Sequence, residues 1–210
     1  MESTLGHRTV TKRPGGRTAY VTARVHQAVL DLLIEGGAHA CTFKSVAERA
    51  GVERSTLYRR YPDRWEMVID AFMAVGAADV VPDRCGSFAR DLRSVLKKLA
   101  AMLATPLGPA VVAAAAELRA GSGGDFSRAY FVRRMNQLRG MFDAAVMRGE
   151  LPPETDRETL FTFAAGPIYF RLFIAARPID DSFIDSIVDT VCTAFGVESC
   201  PKAPAFPRLG

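Results

Sequence analysis

Along most of the chain, apolar residues recur every three or four positions, the spacing that places them on one face of an α-helix. Segments with this pattern predict helices at residues 18–35, 43–50, 54–61, 64–78, 87–103, 107–120, 126–148, 156–175 and 181–195. Glycine or proline interrupts the pattern at the junctions, and no segment shows the alternation of a strand. We therefore predict an all-α fold with about nine helices.

The two shortest predicted helices, 43–50 and 54–61, are separated by a tight turn that contains Gly51. Glycine adopts left-handed conformations at little cost, so it suits a sharp change of chain direction. Small apolar residues occupy the positions that would pack the two helices together: Val46, Ala47, Ala50, Val52 and Leu57. Two helices joined in this way form a helix-turn-helix, whose second helix enters the major groove of DNA.

Charge is distributed unevenly along the 210 residues. Residues 1–64 contain 11 Lys and Arg against 6 Asp and Glu, a net charge of +5, whereas residues 65–210 contain 16 against 17, a net charge of −1. The whole positive excess therefore lies in the segment that holds the helix-turn-helix. This is the charge distribution of a module that binds phosphates, joined to a larger part that does not.

Signs of catalysis are weak. The three histidines have no metal-ligand spacing, and neither a glycine-rich phosphate loop nor a Gly-x-Ser-x-Gly motif is present. We therefore expect no enzymatic activity, no cofactor and no metal site. Because an enzyme has no need of a basic helix-turn-helix, the charge distribution also argues against this alternative.

The four cysteines lack Cys-x-x-Cys spacing, and a chain of this size has no need of disulfides, so we interpret them as reduced thiols, with a redox-sensing pair as the alternative. Residues 1–17 lack the apolar core of a secretory signal, and the longest apolar stretch is short of the ~20 residues that span a bilayer. We therefore expect a cytoplasmic protein that does not bind membranes.

The segment 18–75 resembles the tetracycline-repressor (TetR) family of bacterial transcription regulators. The similarity comprises a first helix, the helix-turn-helix, the run Thr56-Leu57-Tyr58, the pair Tyr61-Pro62 and a long fourth helix that begins with a basic residue. Residues 80–197 match the family only in the number and order of helices. Many members place Ser at the N-cap before the second short helix, where this chain has Glu53, a poorer cap that still suits the helix dipole.

The resemblance implies a sequence-specific transcriptional regulator, released from its operator by a small-molecule effector. It also implies a division into a flexible basic arm (1–17), a three-helix DNA-binding domain (18–64), an effector-binding and dimerisation domain (65–197) and a tail (198–210). Two alternatives stay open: a transcriptional activator of the same fold and a sequence-nonspecific DNA-binding protein. Binding that depends on sequence as well as salt would distinguish the last of these.

The second helix of the motif carries most of the candidate DNA contacts. Arg54 lies at its start, where a side chain reaches base edges and a bidentate contact to guanine adds about 1–3 kcal/mol of discrimination. By resemblance, Tyr58, Arg60 and Arg64 are phosphate contacts. The full set is Lys44, Arg54, Ser55, Thr56, Tyr58, Arg59, Arg60 and Arg64. Tyr61 is expected to pack against the first helix instead. The arm residues Arg8, Lys12, Arg13 and Arg17 either follow the DNA backbone, enter a minor groove or stay solvated.

A single recognition helix reads few bases, whereas a symmetric dimer reads two half-sites about 34–36 Å apart. The predicted helix 156–175 is apolar on nearly all sides and must be covered on more than one of them. With the resemblance, this predicts a homodimer in which the last two helices of each chain form a four-helix bundle. The candidate contacts are Leu160, Phe163, Phe170, Ile184, Ile187, Val188, Val191 and Phe195. The alternative is that these residues are buried within one chain.

The remaining helices are expected to enclose the effector pocket. Candidate lining residues are Met102, Glu117, Phe126, Phe131, Met135, Asn136, Phe142 and Tyr169, with Gln137 as a further polar anchor. Because most of these side chains are apolar, we expect an apolar or aromatic small molecule. Ligand binding would favour a state in which the fourth helix moves and the spacing of the recognition helices no longer fits a palindromic operator.

Overall fold

The computed structural model describes residues 16–120 and 124–197. Within these ranges the chain forms nine α-helices and no strand, which confirms the all-α prediction. The helices are α1 (Gly16–Gly36), α2 (Phe43–Ala50), α3 (Arg54–Arg60), α4 (Arg64–Asp79), α5 (Phe88–Leu103), α6 (Leu107–Ala120), α7 (Gly124–Met147), α8 (Arg157–Tyr169) and α9 (Asp181–Ala194). A short 3-10 turn at Ala38–Ala40, which the apolar pattern does not predict, joins α1 to α2.

Local hydrogen bonds set the ends of the short helices. The Thr42 hydroxyl accepts from the Ser45 N–H at 3.1 Å, and the Ser45 hydroxyl accepts from the Thr42 N–H at 3.0 Å, so the two residues form a capping box before α2. Gly51 ends α2 with φ 60° and ψ 46°, the left-handed conformation expected of it. Asp63 caps α4, as its position predicts, by accepting from the N–H groups of Trp65 and Glu66.

The N-terminal helices share one hydrophobic core. Its buried side chains come from α1, α2, α3 and the first half of α4, with Leu107 and Ala114 added by α6. Leu57 is fully buried, as expected for the residue that fixes α3 to α2. Full burial of such a side chain contributes about 1.5–3 kcal/mol relative to exposure. Since residues 67–72 of α4 belong to this core, packing continues across the expected domain boundary at residue 64.

A second core lies between α5, α7, α8 and α9. Its fully buried side chains include Phe88, Leu92, Leu96, Leu138, Phe142, Leu160 and Ile168. Helix α4 is part of the first core, and its contacts with α7 connect that core to the second one. Helix α6 makes a second connection, since it contacts both α1 and α7.

The helix predicted at 156–175 departs from α-geometry in its last turn. Residues Phe170–Ile174 form a π-helical turn, in which the Ala175 N–H donates to the Phe170 carbonyl at 2.9 Å. Pro167 lies inside α8 and supplies no N–H, and a helix commonly adjusts its hydrogen bonding near such a residue. The adjustment leaves Phe170 and Ile174 exposed.

Candidate nucleic-acid interface and ligand cavity

Helix α3 presents a polar and basic face to solvent. Arg54, Ser55, Tyr58 and Arg59 are exposed along this short helix, while Leu57 faces the core. Arg54 and Tyr58 are four residues apart, as are Ser55 and Arg59, so the two pairs lie side by side on one side of the helix. Of the other candidate DNA contacts, Lys44 and Arg60 are exposed, and Thr56 and Arg64 are half-buried. The structure thus leaves all eight accessible at least in part.

Side chains of α2 orient two residues of this face. The Tyr58 ring, 63% exposed, packs against Phe43 with the ring centroids 4.5 Å apart. The Arg54 guanidinium lies 3.3 Å from a carboxylate oxygen of Glu48, and both side chains are largely exposed. An exposed pair of this kind is weak, so Arg54 can leave Glu48 for a better partner at little cost. Glu53 makes no cap hydrogen bond through its side chain.

A polar junction fixes the C-terminal end of α3. We call Thr22, His26, Arg60, Tyr61 and Asp70 the Asp70 junction. The Asp70 carboxylate accepts from the Tyr61 hydroxyl at 2.7 Å and contacts His26 Nε2 at 3.0 Å. Arg60 lies 3.5 Å from the same carboxylate and donates to the Thr22 hydroxyl. One carboxylate on α4 therefore holds both α1 and the end of α3.

The electrostatics of the junction agree with its geometry. Burial raises the pKa of Asp70, but the hydrogen bonds from His26 and Tyr61 outweigh this and bring the pKa below its ordinary value of 3.8. Burial and the hydrogen bond to Asp70 raise the pKa of Tyr61, so its hydroxyl remains a donor. Tyr61 is 5% exposed and packs in the N-terminal core as expected, although its hydroxyl bonds to α4. The apolar pattern gave no indication of the role of Asp70.

The C-terminal helices enclose a cavity of about 260 Å³. It lies between α7, α8, Leu99 of α5 and Val80, the residue that follows α4. The lining residues described are Val80, Leu99, Tyr130, Phe131, Arg134, Phe161, Thr162, Ala165, Gly166 and Tyr169. Most of this surface is apolar, with one arginine and two phenols among the polar groups.

Of the expected pocket residues, Phe131 and Tyr169 line this cavity. Met102 lies at a separate surface pocket beside Val75 and Leu107. Met135 packs against the second core, and Asn136 is exposed. Phe142 is fully buried against Phe88, with ring centroids 5.7 Å apart, so it is a core residue outside the cavity lining.

Two other expected positions are placed only in part. The side chains of Glu117 and Phe126 lie outside the described part of the structure, although their backbones belong to α6 and α7. Gln137 is near the cavity, where its side-chain oxygen accepts from Arg134 Nη1 at 3.0 Å. Of the arm residues, Arg8, Lys12 and Arg13 lie outside the described residues, as does the side chain of Arg17.

Arg134 was missed by the sequence reasoning, although the sequence contains a signal for it. The residue follows Phe131 by three positions and precedes Leu138 by four, so it occupies the apolar face of α7. The side chain is 4% exposed. A buried arginine requires polar partners, and its Nη1 donates to the Val80 carbonyl at 3.3 Å and to Gln137.

Several contacts connect the cavity to α4. The bond from Arg134 to Val80 reaches the residue directly after α4, and the Gln137 amide lies 3.5 Å from the Met73 carbonyl within α4. The Tyr130 ring packs edge-on against Phe72 of α4, with centroids 6.5 Å apart. Arg133 forms an ion pair with Glu66 near the start of α4. Helix α7 therefore contacts α4 along most of its length.

An apolar groove of about 460 Å³ runs between α8 and α9. Its lining residues are Phe163, Pro167, Phe183, Ser186, Ile187, Thr190, Val191, Ala194 and Phe195. Phe163 is 64% and Phe170 62% exposed, and the Phe163 ring contacts Phe195 edge-on, with centroids 6.4 Å apart. A single chain leaves this large apolar surface uncovered.

The expected dimer contacts fall into two groups. Phe163, Phe170, Ile187, Val191 and Phe195 lie on or beside the groove. Ile187 and Val191 line the groove but are themselves buried in the second core, at 6% and 3% exposed. Leu160, Ile184 and Val188 lie in the same core, at 0%, 1% and 6% exposed, and do not line the groove. For these three, the alternative of burial within one chain describes the structure, because the inner faces of α8 and α9 cover α5 and α7.

Within the described ranges, no single helix has both the length and the hydropathy of a membrane span; only Phe88–Leu103 and Leu107–Ala116 taken together do, and they are bent by 89°. Among the same residues, no group of three or more His, Cys, Asp and Glu side chains is arranged to hold a metal ion.

Two family descriptions match the chain. "Bacterial regulatory proteins, tetR family" matches residues 27–71, the segment of the helix-turn-helix, and "Tetracyclin repressor-like, C-terminal domain" matches residues 81–191. The chain therefore belongs to the TetR family of transcriptional regulators. Proteins of this family bind DNA and small-molecule effectors and act as dimers.

Individual relatives agree with this assignment. The chain is 30% identical over 181 residues to the DNA-binding transcriptional repressor TetR of Mycobacteroides abscessus, covering 81% of this chain and 90% of the repressor. It is 29% identical over 170 residues to the uncharacterized regulator YdeS of Bacillus subtilis, covering 78% and 85%. The crystal structure of the TetR family transcription regulator SCO0332 superimposes with a TM-score of 0.65 and 26% identity, covering 86% of this chain and 99% of that one.

Proposed function

We propose that the protein is a transcriptional repressor that binds a palindromic operator as a homodimer and leaves it when a small molecule occupies the cavity. The observation that carries this proposal is the pairing of an exposed basic face on α3 with a cavity whose walls contact α4. Such a regulator acts on chromosomal DNA, which places it in the bacterial cytoplasm.

The proposed DNA contacts divide by position. Arg54, Ser55 and Thr56 begin α3, and a docked recognition helix presents this end to base edges. Tyr58, Arg60, Arg64 and Lys44 flank it and serve as phosphate contacts, with Arg59 available to a base. Because Arg60 is already held by the Asp70 junction, the geometry of this phosphate contact depends on α4.

The groove between α8 and α9 supports the proposed dimer. Two such grooves brought together by a two-fold axis bury the exposed Phe163 and Phe170 of each chain and form a four-helix bundle. The contact residues we propose are therefore Phe163, Pro167, Phe170, Ile187 and Phe195. Pairing through this end of the chain sets the separation of the two α3 helices.

Ligand release follows from the contacts of α4. A molecule in the cavity displaces Tyr130, Arg134 or both; Tyr130 contacts Phe72 in α4, and Arg134 contacts Val80, the residue directly after α4. Helix α4 carries Asp70, which holds the end of α3. A movement of α4 therefore changes the position of the recognition helix, and the ligand shifts the population toward a state that no longer fits the operator.

An activator of the same fold remains the second candidate, because the geometry of operator binding is the same and only the place of the operator relative to the promoter differs. A sequence-nonspecific binder fits less well. It has no use for a cavity linked to the DNA-binding helices, and its affinity falls with salt alike for every sequence.

The test is fluorescence anisotropy with labelled duplexes that tile the DNA beside the gene, and with scrambled duplexes of equal composition. We expect one tile to bind tightly at two salt concentrations and the scrambled duplexes to bind weakly. Arg54→Ala should weaken binding to this tile by about 10- to 100-fold, since one bidentate base contact contributes about 1–3 kcal/mol. Arg139→Ala, an exposed change on α7, is the control. Equal, salt-labile binding to all duplexes would contradict the proposal.

A further inference from the structure

The cavity holds a positive charge in a mainly apolar wall. Arg134 is the one charged residue among the described residues that line it, and its side chain is 4% exposed. In such surroundings the effective dielectric constant is low, so a charge acts far more strongly than at the surface.

The size of the cavity limits the ligand. Its volume is about 260 Å³. This lies near the lower end of the range for small-molecule sites, which begins at about 300 Å³. One ring with a short substituent fills the space, whereas a fused multi-ring compound does not fit without rearrangement.

We infer that the cavity binds a small organic acid, with a single ring or a short aliphatic body against Phe131, Phe161 and Ala165 and its carboxylate on Arg134. This inference rests on the proposed function and names the class of its effector. The planar guanidinium matches a carboxylate in geometry, and the charge-assisted pair is about twice as strong as a neutral hydrogen bond.

The phenols beside Arg134 favour the same ligand. Tyr130 and Tyr169 line the cavity with it. Burial, chiefly, and the nearby Tyr130 raise the pKa of Tyr169 to about 12, while Arg134 acts in the opposite direction. The Tyr169 hydroxyl is therefore protonated at neutral pH and is available as a hydrogen-bond donor. Donors around a carboxylate satisfy the oxygen lone pairs that a single arginine leaves open.

Binding of an acid at this position has a direct route to α4. Arg134 Nη1 donates to the Val80 carbonyl and to the Gln137 side chain, both of which are neutral acceptors. A carboxylate is the stronger acceptor, so the ligand competes with Val80 for the guanidinium. Weakening this bond frees the residue that directly follows α4. Capture of the anion and movement of α4 are thus two results of one exchange of hydrogen bonds.

The experiment is isothermal titration calorimetry of the full chain with three acids and their amides: benzoate and benzamide, phenylacetate and phenylacetamide, cyclohexanecarboxylate and cyclohexanecarboxamide. Each pair matches in shape and differs in charge. We expect at least one acid to bind once per chain, about tenfold or more tightly than its amide. Ala165→Leu, which fills part of the cavity, should weaken the binding of the acid and of the amide to the same extent.

The variants separate the role of the charge from that of the fold. Arg134→Met should remove the preference for the acid, Arg134→Lys should retain part of it, and Arg139→Met, on an exposed site of the same helix, should retain it fully. The inference is overturned if amides bind as tightly as acids, if no acid binds at millimolar concentration, or if Arg134→Met keeps the preference. The comparison of acid and amide in the unaltered chain holds even where a variant fails to fold.

Anisotropy with the operator tile distinguishes the two proposals. If an acid binds but the protein binds no tile specifically, the proposed function fails and the ligand class stands. If a tile is specific and only neutral molecules bind the cavity, the ligand class fails and the repressor stands. When both are correct, the acid releases the unaltered protein from the tile and does not release Arg134→Met.

Discussion

Asp70 is the residue on which the end of the recognition helix depends most. Its carboxylate accepts from Tyr61 and contacts His26, so one side chain joins α1, α4 and the end of α3. Asp70→Asn removes the charge and disturbs both hydrogen bonds. We expect a loss of about 1–2 kcal/mol in the free energy of unfolding, measured by urea denaturation, and weaker operator binding. Glu154→Gln, an exposed change outside the junction, should alter neither.

The same residue predicts a dependence on pH. Because the pKa of Asp70 is lower in the folded chain than its ordinary value of 3.8, the unfolded chain binds the proton more readily. The stabilisation from Asp70 is therefore complete above pH 3.8 and is lost as the pH falls through the folded pKa. The difference between the unaltered chain and Asp70→Asn should shrink in acid. A difference that grows as the pH falls would contradict this account.

For single residues, the sequence predicts which side chains are exposed better than it predicts which side chains contact each other. Helical spacing correctly places Leu57 inside and Arg54 outside, because both follow from the period of the helix. It does not predict that Asp70 and Tyr61 meet, since their pairing depends on how α4 packs beside α3. Arg134 lies between these two cases. Helical spacing predicts its position on the apolar face of α7, but it does not predict the cavity, which α8 and α5 help to form.

Among the elements, the corner between α5 and α6 depends on one small residue. A side-chain carbon added at Gly108 would lie 1.9 Å from the Leu103 carbonyl oxygen, which belongs to the backbone and cannot yield easily. We expect Gly108→Ala to lower the free energy of unfolding by about 1–3 kcal/mol, measured by thermal or urea denaturation.

Gly140→Ala is the matched control for this corner. Gly140 lies within α7, and a side-chain carbon there meets nothing within 4 Å. Because alanine favours a helix over glycine, this variant should gain up to about 1 kcal/mol. Equal effects of the two substitutions would show that the corner tolerates a side chain and that the account of α5 and α6 is wrong.

The bounds of the elements were largely predictable, and the exceptions have physical causes. Capping residues such as Thr42 and Asp63 and the turn at Gly51 are local signals, so helix ends near them agree with the sequence. The π-helical turn at Phe170–Ile174 was missed, because the apolar pattern cannot distinguish it from an α-helix of the same composition. Pro167 is the sequence feature that indicates an irregular turn at this place.

For the whole molecule, the groove between α8 and α9 is the proposed centre of assembly. Phe163 is 64% exposed and lies on it, so Phe163→Glu should place a charge in the dimer interface. We expect the dimer dissociation constant to rise by about 100-fold in sedimentation, since a buried aromatic side chain contributes about 3 kcal/mol or more. Met147→Glu, at an 81% exposed position on α7, is the control and should leave the dimer unchanged.

The family was evident in the sequence because the helix-turn-helix is a local motif with a characteristic charge. The details of the C-terminal helices were not. An aromatic side chain on a helix does not by itself indicate a cavity wall, because a fully buried core residue such as Phe142 has the same sequence signature. Which helix faces enclose a space is decided by packing among α5, α7 and α8.

The central claim is that two copies of the chain read two half-sites through α3. Hydroxyl-radical footprinting of the tightest-binding tile tests it most directly. We predict two protected half-sites related by a two-fold axis, with centres about 34–36 Å apart, and loss of both protections with Arg54→Ala. A single protected half-site, or uniform protection along every duplex, would contradict the account.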